Sequence, residues 1–298
     1  MTTKLRLSVI VPTLDRPQSL QKCLDALVQQ SYSVSNFEVI VVDDGSQNTL
    51  NNLIASYSES LNIHLLRQAN AGPAAARNKG ATIAAGQWLA FTDDDCTPAP
   101  DWLCVLDSAT RSYPTQLLGG FTINALTENI YASASQSIQD IVYRHYNARP
   151  LQARFFASNN MAVPAQLFAE LEGFDASFRT SEDRELCDRC LHQGKQLVYI
   201  PEAIVYHAHR LNFSRYCRQH FGYGRGAYRF HRLRAQRNSG NMQKEMTFHL
   251  NLRNWLTVPF RQYKGLHAIT LAILLVCWQQ ANLMGFVYEA ARNRFKIV

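Results

Sequence analysis

A chain of 298 residues is long enough to bury a large hydrophobic core, either as one large domain or as two smaller ones. Hydrophobic residues make up 47% and charged residues 18%, which excludes a wholly disordered chain. The net charge of +7 is uneven: residues 1–206 carry 15 Lys and Arg against 21 Asp and Glu, whereas residues 207–264 carry 12 against 1. An acidic body followed by a basic arm predicts an anionic partner for the arm, such as lipid head groups, diphosphates or nucleic acid.

The first 100 residues alternate between apolar strand-like runs and helix-like segments. Strands are predicted at Leu7–Pro12, Phe37–Val42, Ile63–Leu66 and Trp88–Phe91, and helices at Ser19–Gln30, Leu50–Tyr57 and Pro73–Ala85. This alternation predicts an α/β fold with a largely parallel sheet, in which ligands bind at the carboxyl ends of the strands. Three polar clusters follow predicted strands, at Thr13–Arg16, Asp43–Ser46 and Asp93–Asp95, so we expect them to converge at one edge of the sheet.

The later part of the chain is less regular. Residues 158–164 are predicted as a loop that enters a short strand, Ser181 as the cap of a helix with an acidic first turn, and Leu197–Pro201 and Ala203–His207 as two further strands. Residues 214–237 are basic and aromatic, and Ile269–Trp278 is a run of ten apolar residues. Ten residues are short of the ~20 that span a bilayer, which favours an interfacial or packed helix.

The seven cysteines are scattered, and the N-terminal segment has no signal-peptide pattern. These features predict free thiols in the cytoplasm. Cys187 and Cys190 form one Cys-x-x-Cys pair inside a helical pattern, without a second pair at metal-ligand spacing. A zinc or redox role is therefore not predicted for them.

Asp93, Asp94 and Asp95 place three carboxylates side by side at the end of a buried strand. Carboxylates repel one another, and a hard cation such as Mg²⁺ or Mn²⁺ would relieve that repulsion and hold phosphates. The alternative is an acidic turn exposed to water. A glycine-rich dinucleotide fingerprint and a Walker-type motif are both absent from the sequence, so a bound nucleotide would have to be held in another way.

Several short motifs occur in a fixed order along residues 6–210. They are Val9-Ile10-Val11-Pro12-Thr13, Val41-Val42-Asp43-Asp44-Gly45-Ser46, Ala71–Gly80, Phe91–Asp95, Asn159–Ala162, Gly173-Phe174-Asp175 and Ser181–Leu186. Together they resemble the signatures of family 2 glycosyltransferases, inverting enzymes of the GT-A fold that use nucleotide sugars. The resemblance implies a GT-A domain at residues 1–206, with donor binding in 1–100 and the acceptor side in 101–206. A basic aromatic arm (207–265) and an apolar C-terminal helix (266–298) would follow.

The resemblance also implies a role for individual residues. Asp183 would be the catalytic base, and Glu182 would shape the site around it. Asp95 would bind Mn²⁺ or Mg²⁺ together with His207, which we prefer to His209 because it directly follows the last strand. The implied donor-binding residues are Pro12, Thr13, Asp15, Asp43, Asp44, Arg77, Asp93 and Asp94.

Simpler interpretations of the same residues stay open at this stage. Glu182 and Asp183 are also typical of the first turn of any helix, where the dipole stabilises acidic side chains. Arg77 fits an ordinary solvated helix face, and either histidine fits a structural role. For the whole chain, the alternatives are a sugar-nucleotidyltransferase and a non-catalytic binding protein on the same fold.

The expected partners are a UDP-, GDP- or dTDP-linked sugar and a hydroxyl acceptor, either free or lipid-linked, in polysaccharide, glycolipid or glycoconjugate synthesis. The basic arm and apolar tail favour peripheral contact with the inner face of the membrane. Packing of the tail onto the core, or a homo-oligomer formed through the C-terminal helix, is the alternative. A nucleic acid partner is not favoured.

Overall fold

The computed structural model describes residues 5–240 and 247–294. The chain divides into two compact units. The first comprises Met1–Ile123, Asn147–Ser177 and Glu182–Ala208, and the second comprises Asn124–Tyr146, Phe178–Ser181 and His209–Val298.

The first unit is built on a sheet of eight strands within the described residues. They are β1 Leu7–Thr13, β2 Phe37–Asp43, β3 Ile63–Arg67, β4 Trp88–Phe91, β5 Cys96–Pro98, β6 Leu117–Asn124, β7 Met161–Pro164 and β8 Leu197–His207. Their order in the sheet is β3-β2-β1-β4-β7-β6-β8-β5.

The helices of the described residues alternate with these strands and then dominate the C-terminal part. They are α1 Pro17–Val28, α2 Asn51–Ala55, α3 Pro73–Ala81, α4 Trp102–Ser112, α5 Ile130–Tyr146, α6 Ala165–Glu170, α7 Glu182–His192, α8 Phe213–Arg237, α9 Leu252–Leu256, α10 Val258–Gln262 and α11 Gly265–Arg294. The predicted α/β fold with a helical C-terminal extension is confirmed.

The first four strands form the parallel half of the sheet. β1 pairs in parallel with β2 and with β4, and β2 pairs in parallel with β3. Every residue of β1 and β2 is buried, as expected for parallel strands that have helices on both faces. The helix α1 contributes Leu20, Leu24 and Leu27 to the same core, at the spacing that places them on one helix face.

The other half of the sheet contains antiparallel pairs, and the sheet bends there. β7 pairs antiparallel with β4 and with β6, and β5 pairs antiparallel with β8. Only residues 92–95 connect β4 to β5, and a turn in which the Cys96 N–H donates to the Asp93 carbonyl oxygen at 3.0 Å keeps Phe91 and Cys96 well within the about 18 Å of an extended link. In a flat sheet the four strand spacings between them would amount to about 19 Å, so the sheet curls and returns its β5 edge towards β4.

One predicted boundary is wrong. The sequence predicts two strands at 197–201 and 203–207, because Pro201 and Glu202 interrupt the apolar run. The structure has the single strand β8 through both residues, and Pro201 and Glu202 are exposed. A proline is tolerated in a strand where its missing N–H would otherwise face solvent.

The second unit is a helical assembly with its own apolar core. Buried Tyr216 of α8, Trp255 of α9 and Leu271, Leu275 and Trp278 of α11 belong to one cluster. The Tyr216 hydroxyl donates a 2.9 Å hydrogen bond to the Leu274 carbonyl oxygen. Aromatic and aliphatic side chains of three helices thus stabilise this unit from within.

The helices α8 and α11 touch backbone to backbone. A Cβ at Gly224 would collide with the Asn282 carbonyl oxygen, and a Cβ at Gly285 would collide with the Phe221 carbonyl oxygen. Glycine is therefore required at this crossing because any side chain would push the two helices apart. In α11, residues Gly265–Asn293 are long and apolar enough to cross a membrane by length and composition, with a mean hydropathy of 1.5 and 33% of the helix window buried.

Candidate active site

The polar strand ends of the first unit meet at one region. In the β1–β2 register Thr13 lies opposite Asp43, and in the β5–β8 register Cys96 lies opposite His207. The aspartate triplet follows β4, the strand next to β1. The curl of the sheet thus brings the end of β8 to the end of β4, although the two are separated by more than 100 residues in the chain.

The middle aspartate of the triplet points into the protein. Asp94 is fully buried and accepts a 2.6 Å hydrogen bond from the Thr13 hydroxyl, while the Arg16 guanidinium lies 2.6 Å from its other oxygen. Burial raises the pKa of Asp94 to about 7, although Arg16 and Thr13 act in the opposite direction. The buried Asp94 carboxylate therefore links the end of β1 to the aspartate triplet.

Asp95 faces the end of β8. Its Oδ2 lies 2.7 Å from Arg16 Nη1, and its Oδ1 lies 3.2 Å from His207 Nε2. The backbone N–H of Ala208 also donates to the Asp95 carbonyl oxygen at 2.9 Å. Burial lowers the pKa of His207, but hydrogen bonding and charge from Asp95 outweigh it and raise the value.

The chemistry of this donor set fits a divalent ion. The ligand atoms of Asp95, Cys96 and His207 lie within 4.8 Å of one another. A carboxylate oxygen with an imidazole nitrogen suits Mn²⁺, whereas soft thiolates suit other metals. Burial, with help from Asp93 and Asp95, raises the pKa of the Cys96 thiol well above its ordinary value, so Cys96 stays neutral and is a poor ligand.

Arg77 joins the triplet to the acidic start of α7. Its Nη2 donates to Asp93 Oδ1 at 2.6 Å and its Nη1 donates to Glu182 Oε1 at 3.0 Å. Only 3% of the Arg77 side chain is exposed, so its pair with Glu182 is shielded from water, while Asp93 is 26% exposed. Burial opposes the charge of Arg77, yet Asp93 and Glu182 outweigh it and raise the pKa. Arg77 is thus a buried bridge and not part of a solvated helix face.

Asp183, the next residue along α7, is placed beside this bridge. Its Oδ2 accepts from the Ser158 backbone N–H at 3.4 Å and its Oδ1 accepts from the Arg184 N–H at 2.7 Å. Burial and the neighbouring Glu182 raise the pKa of Asp183 to about 7, and the two N–H donors and Arg77 only partly oppose them. A carboxyl group with that pKa is half ionised near neutrality, which suits a general base.

Asp43 and Asp44 both hold loops through their carboxylates. Asp43 Oδ1 accepts from the Ser46 N–H at 2.8 Å, within a turn where Gly45 has a φ of +94°. Asp44 accepts from the N–H groups of Ala71 at 2.9 Å and Gly72 at 2.8 Å. Gln68 Nε2 also donates to Asp44 at 2.7 Å.

Other predicted residues lie at the edge of this region or are buried in the backbone framework around it. Asp15 is exposed in the left-handed region with a φ of +52°, and its Oδ1 accepts from the Gln47 N–H at 2.7 Å. Pro12 is buried inside β1 opposite Val42. Asn160 of the acceptor-side motif is fully buried and donates to the carbonyl oxygens of Phe121 and Ala203. His209 belongs to the second unit, unlike His207.

Sequence reasoning assigned no role to two residues at the site, Arg16 and Cys96. Arg16 follows the end of β1 and belongs to the polar cluster Thr13–Arg16 that the sequence predicts at this strand end. Its ion pairs with Asp94 and Asp95 could not be predicted, because they depend on the direction of the side chain at a turn. Cys96 reaches His207 only through the β5–β8 register. A three-residue strand such as β5 leaves no periodic signal in the sequence.

Two sequence families match the chain over this region. The model described as Glycosyl transferase family 2 matches residues 8–169, and the one described as Glycosyl transferase family group 2 matches residues 93–288. The first match alone spans more than half of the chain. The chain belongs to glycosyl transferase family 2. The family resemblance predicted from the ordered motifs is therefore confirmed.

Curated members of other organisms match parts of this family 2 chain. Glycosyltransferase AglE of Haloferax volcanii is 38% identical over 116 residues, which are 38% of this chain and 38% of the relative. Glycosyltransferase GlyA of Streptococcus pneumoniae is 36% identical over 212 residues, which are 67% of this chain and 30% of the relative. Pre-mycofactocin glycosyltransferase of Mycobacterium tuberculosis is 28% identical over 74% of this chain and 46% of the relative. The matches thus span less than half the length of these relatives.

Solved structures share the fold at low sequence identity. Mannosyltransferase PcManGT from Pyrobaculum calidifontis, in complex with GDP-Man and Mn²⁺, superposes with a TM-score of 0.70 at 17% identity, over 97% of this chain and 88% of that one. The S. aureus TarS 1-349 complex with UDP-GlcNAc gives a TM-score of 0.58 at 16% identity, over 97% and 92%. The predicted GT-A fold of this family 2 chain is confirmed by these neighbours.

Proposed function

We propose that this protein is an inverting glycosyltransferase that moves a sugar from a nucleotide diphosphate to a hydroxyl acceptor. The observation that carries the proposal is the Arg77 bridge, which links Asp93 of the strand-end triplet to Glu182 beside Asp183. The buried guanidinium of Arg77 thereby fixes the position of Asp93 relative to the start of α7, the helix that carries Asp183. Membership of family 2 supports the same reaction.

In the proposed reaction the acceptor oxygen attacks the anomeric carbon as the bond from that carbon to the diphosphate oxygen breaks. The acceptor proton passes to the Asp183 carboxylate, and the nucleoside diphosphate leaves with the bonding electron pair. A direct displacement of this kind inverts the anomeric configuration. The raised pKa of Asp183 makes it a stronger base than an ordinary aspartate while leaving it partly ionised near pH 7.

Asp95 and His207 are the residues that we propose hold Mn²⁺ or Mg²⁺. The 3.2 Å approach of His207 Nε2 to Asp95 Oδ1 supports this pair, as does the presence of Mn²⁺ in the complex of the structurally similar mannosyltransferase. When bound, a divalent ion acts as a Lewis acid that stabilises the leaving diphosphate. Arg16, which is about half exposed beside Asp95, supplies further positive charge at the same point.

For the donor we propose a UDP-, GDP- or dTDP-linked sugar, bound along Thr13, Asp15, Asp43, Asp44 and Asp93. Neighbouring structures hold GDP-Man in one case and UDP-GlcNAc in another, which supports a nucleotide sugar without choosing the base. The proposed acceptor is a hydroxyl group of a growing polysaccharide, glycolipid or other glycoconjugate. We place the reaction in the cytoplasm.

The alternatives have weaker support. A sugar-nucleotidyltransferase would need a basic glycine-rich loop after β1 to hold a triphosphate, and Thr13-Leu14-Asp15-Arg16 does not provide one. A non-catalytic binding protein has no use for a carboxyl group whose pKa is raised towards neutrality at a stability cost.

Calorimetry with a panel of nucleotide sugars, with and without Mn²⁺, tests the proposal. We expect one donor to bind in the presence of Mn²⁺ and to raise the melting temperature, because a ligand that binds only the folded state stabilises it. Asp95→Ala should weaken metal-supported donor binding about 10–100-fold. Asp101→Ala, at an exposed acid outside the site, is the matched control.

Two outcomes would contradict the proposal. Failure of every nucleotide sugar to bind or to shift the melting temperature would exclude the proposed donor class. Donor binding that is equally strong in Asp95→Ala and in the control, with unchanged dependence on Mn²⁺, would exclude Asp95 as the metal ligand.

A further inference from the structure

One face of α11 exposes a row of apolar side chains that Gln280 interrupts once. Ile269, Ile273, Val276, Leu283 and Val287 recur every three, four or seven residues, so they lie along one line of the helix. Their exposed fractions run from 39% to 64%, and Met284 and Tyr288 beside them are 65% and 50% exposed. Between Ile269 and Val287, Gln280 is the only polar residue on that line. We call these seven apolar residues the outer face of α11.

The opposite face of α11 packs inside the second unit. Leu271, Leu275 and Trp278 are buried in its core, and Gly285 meets the backbone of α8. The helix therefore has two apolar faces, of which one is packed and the other, the outer face, is exposed. It remains exposed although the helix is packed on its other side, and exposed apolar patches of this kind mark interaction sites.

From residue 209 onwards the exposed charges of the described residues have one sign, whereas the exposed Glu128 of the same unit precedes this stretch. Among the described residues from 209 onwards, Glu289 is the single acidic residue. It is 1% exposed and lies 2.7 Å from Arg225 Nε and 2.8 Å from Arg229 Nη2. The unit thus presents no exposed carboxylate in this described stretch.

Exposed cations flank both ends of the outer face. Arg261 and Lys264 precede the start of α11, and Arg292 lies near its end. Phe260, beside Arg261, is 57% exposed and Leu266 is 78% exposed, so apolar and cationic side chains alternate at the first end. An apolar face with a cationic border matches an anionic lipid surface, in which acyl chains and phosphates lie in adjacent layers.

The length of α11 alone would also permit a transmembrane helix, but its attachment to α8 argues against it. Arg215, Arg218 and Arg232 of α8 are exposed, and the glycine crossing fixes α8 against α11. Crossing the bilayer would carry these charges to hydrocarbon depth at about 2.5–3.5 kcal/mol each. A second copy of the chain is a poorer partner because two basic borders would repel each other.

We propose that the outer face of α11 docks on an anionic lipid bilayer, with the helix lying in the plane of the interface. The apolar side chains enter the boundary between head groups and acyl chains, and Arg261, Lys264 and Arg292 contact lipid phosphates. This inference concerns the second unit and does not depend on the proposed transfer reaction.

Co-sedimentation of the full chain with vesicles tests the proposal. We expect binding to vesicles of phosphatidylglycerol and phosphatidylcholine, weaker binding to phosphatidylcholine alone, and release by high salt. The double variant Ile273→Asp/Leu283→Asp should lose at least about 10-fold in binding, because each change places a charge on the face that enters the lipid. Arg261→Glu/Lys264→Glu should lose binding to the anionic vesicles. Leu151→Asp is the matched control, since Leu151 is 57% exposed in the first unit.

Each result that would contradict the proposal has its own interpretation. Unchanged vesicle binding by the double aspartate variant, with its circular dichroism spectrum intact, would overturn the proposal. So would equal binding to neutral and anionic vesicles, or membrane retention that survives alkaline carbonate extraction, which indicates a spanning helix. A dimer that the same variant dissociates, without any vesicle binding, would assign the face to a second copy of the chain.

Discussion

The two units of this protein treat charge in opposite ways. The first unit gathers carboxylates at the strand ends and encloses them, so that Asp93 is paired to Arg77 and Asp94 to Arg16. From residue 209 onwards the second unit exposes several cations, such as Arg261, Lys264 and Arg292, and buries its one described carboxylate, Glu289, against Arg225 and Arg229. Buried carboxylates whose pKa is raised to about 7, here Asp94 and Asp183, suit chemistry on a bound substrate, whereas exposed cations suit attraction to a surface.

The largest expected effect is on transfer through Asp183. Asp183→Asn removes the proton acceptor but keeps a side chain of nearly the same shape. We expect transfer to fall about 100–10,000-fold with donor affinity unchanged. Steady-state kinetics and donor calorimetry on one preparation measure the two quantities. Normal transfer in this variant would remove Asp183 from the role of base.

The second effect concerns the buried bridge. Arg77→Met leaves Asp93 and Glu182 without their shared cation, and removing one partner of a buried ion pair costs about 3–5 kcal/mol. Urea denaturation of the variant measures this loss. Lys79→Met is the control, because Lys79 is exposed on the same helix and should change stability by less than about 0.5 kcal/mol. Equal stability of the two variants would mean that Arg77 is not a structural bridge.

The third effect tests the second unit alone. Gly285→Ala inserts a methyl group against the Phe221 carbonyl oxygen, and overpacking of this kind costs about 1–3 kcal/mol. Gly222→Ala in α8 meets nothing closer than 3.9 Å and serves as the control. Thermal unfolding should separate the two variants. If both unfold at the same temperature, the close crossing of α8 and α11 is wrong.

The fourth effect is a pH dependence of stability. The folded-state pKa of Asp183 is about 7, above its ordinary value of 3.8, so the folded state binds more protons than the unfolded state between these values. Its contribution to stability is therefore fully present below about pH 4 and is lost as the pH rises to about 7, at up to about 1.4 kcal/mol per pH unit.

Asp183→Asn should reduce this slope by the share that Asp183 contributes and be the more stable form at pH 8, while Asp94, whose pKa burial also raises to about 7, keeps its own share. Urea denaturation of wild type and variant at pH 5 and pH 8 measures it. Parallel changes in the two proteins would show that Asp183 is not the titrating group. Together with lost transfer, greater stability of the variant would show that the acidic site is kept at a cost to the fold.

The sequence predicts the parallel half of the fold well, for a physical reason. Strands such as β1 and β2 are buried on both faces, so they are continuous apolar runs that end abruptly at polar residues. The antiparallel half is harder, because β5 and β7 have only three and four residues and their pairing depends on the curl of the sheet. Periodicity in the chain carries no information about that curl.

Within the site, the sequence marks which residues are polar at strand ends but not which partner each one takes. Asp93, Asp94 and Asp95 look equivalent in the sequence, yet each turns to a different partner because successive side chains leave the backbone in different directions. Arg77 resembles a surface residue of an alanine-rich helix until Glu182 is brought beside it. Such pairings are set by tertiary contacts between residues that lie far apart in the chain.

The antiparallel pairing of β5 with β8 has a consequence for the timing of folding. His207 reaches Asp95 only when the last strand of the sheet has been added. A nascent chain that has left the ribosome only as far as the end of α7 can form the parallel half but lacks one of the two proposed ligands. We expect the proposed metal centre to be among the last features to form during synthesis, because a chain interrupted before β8 lacks His207.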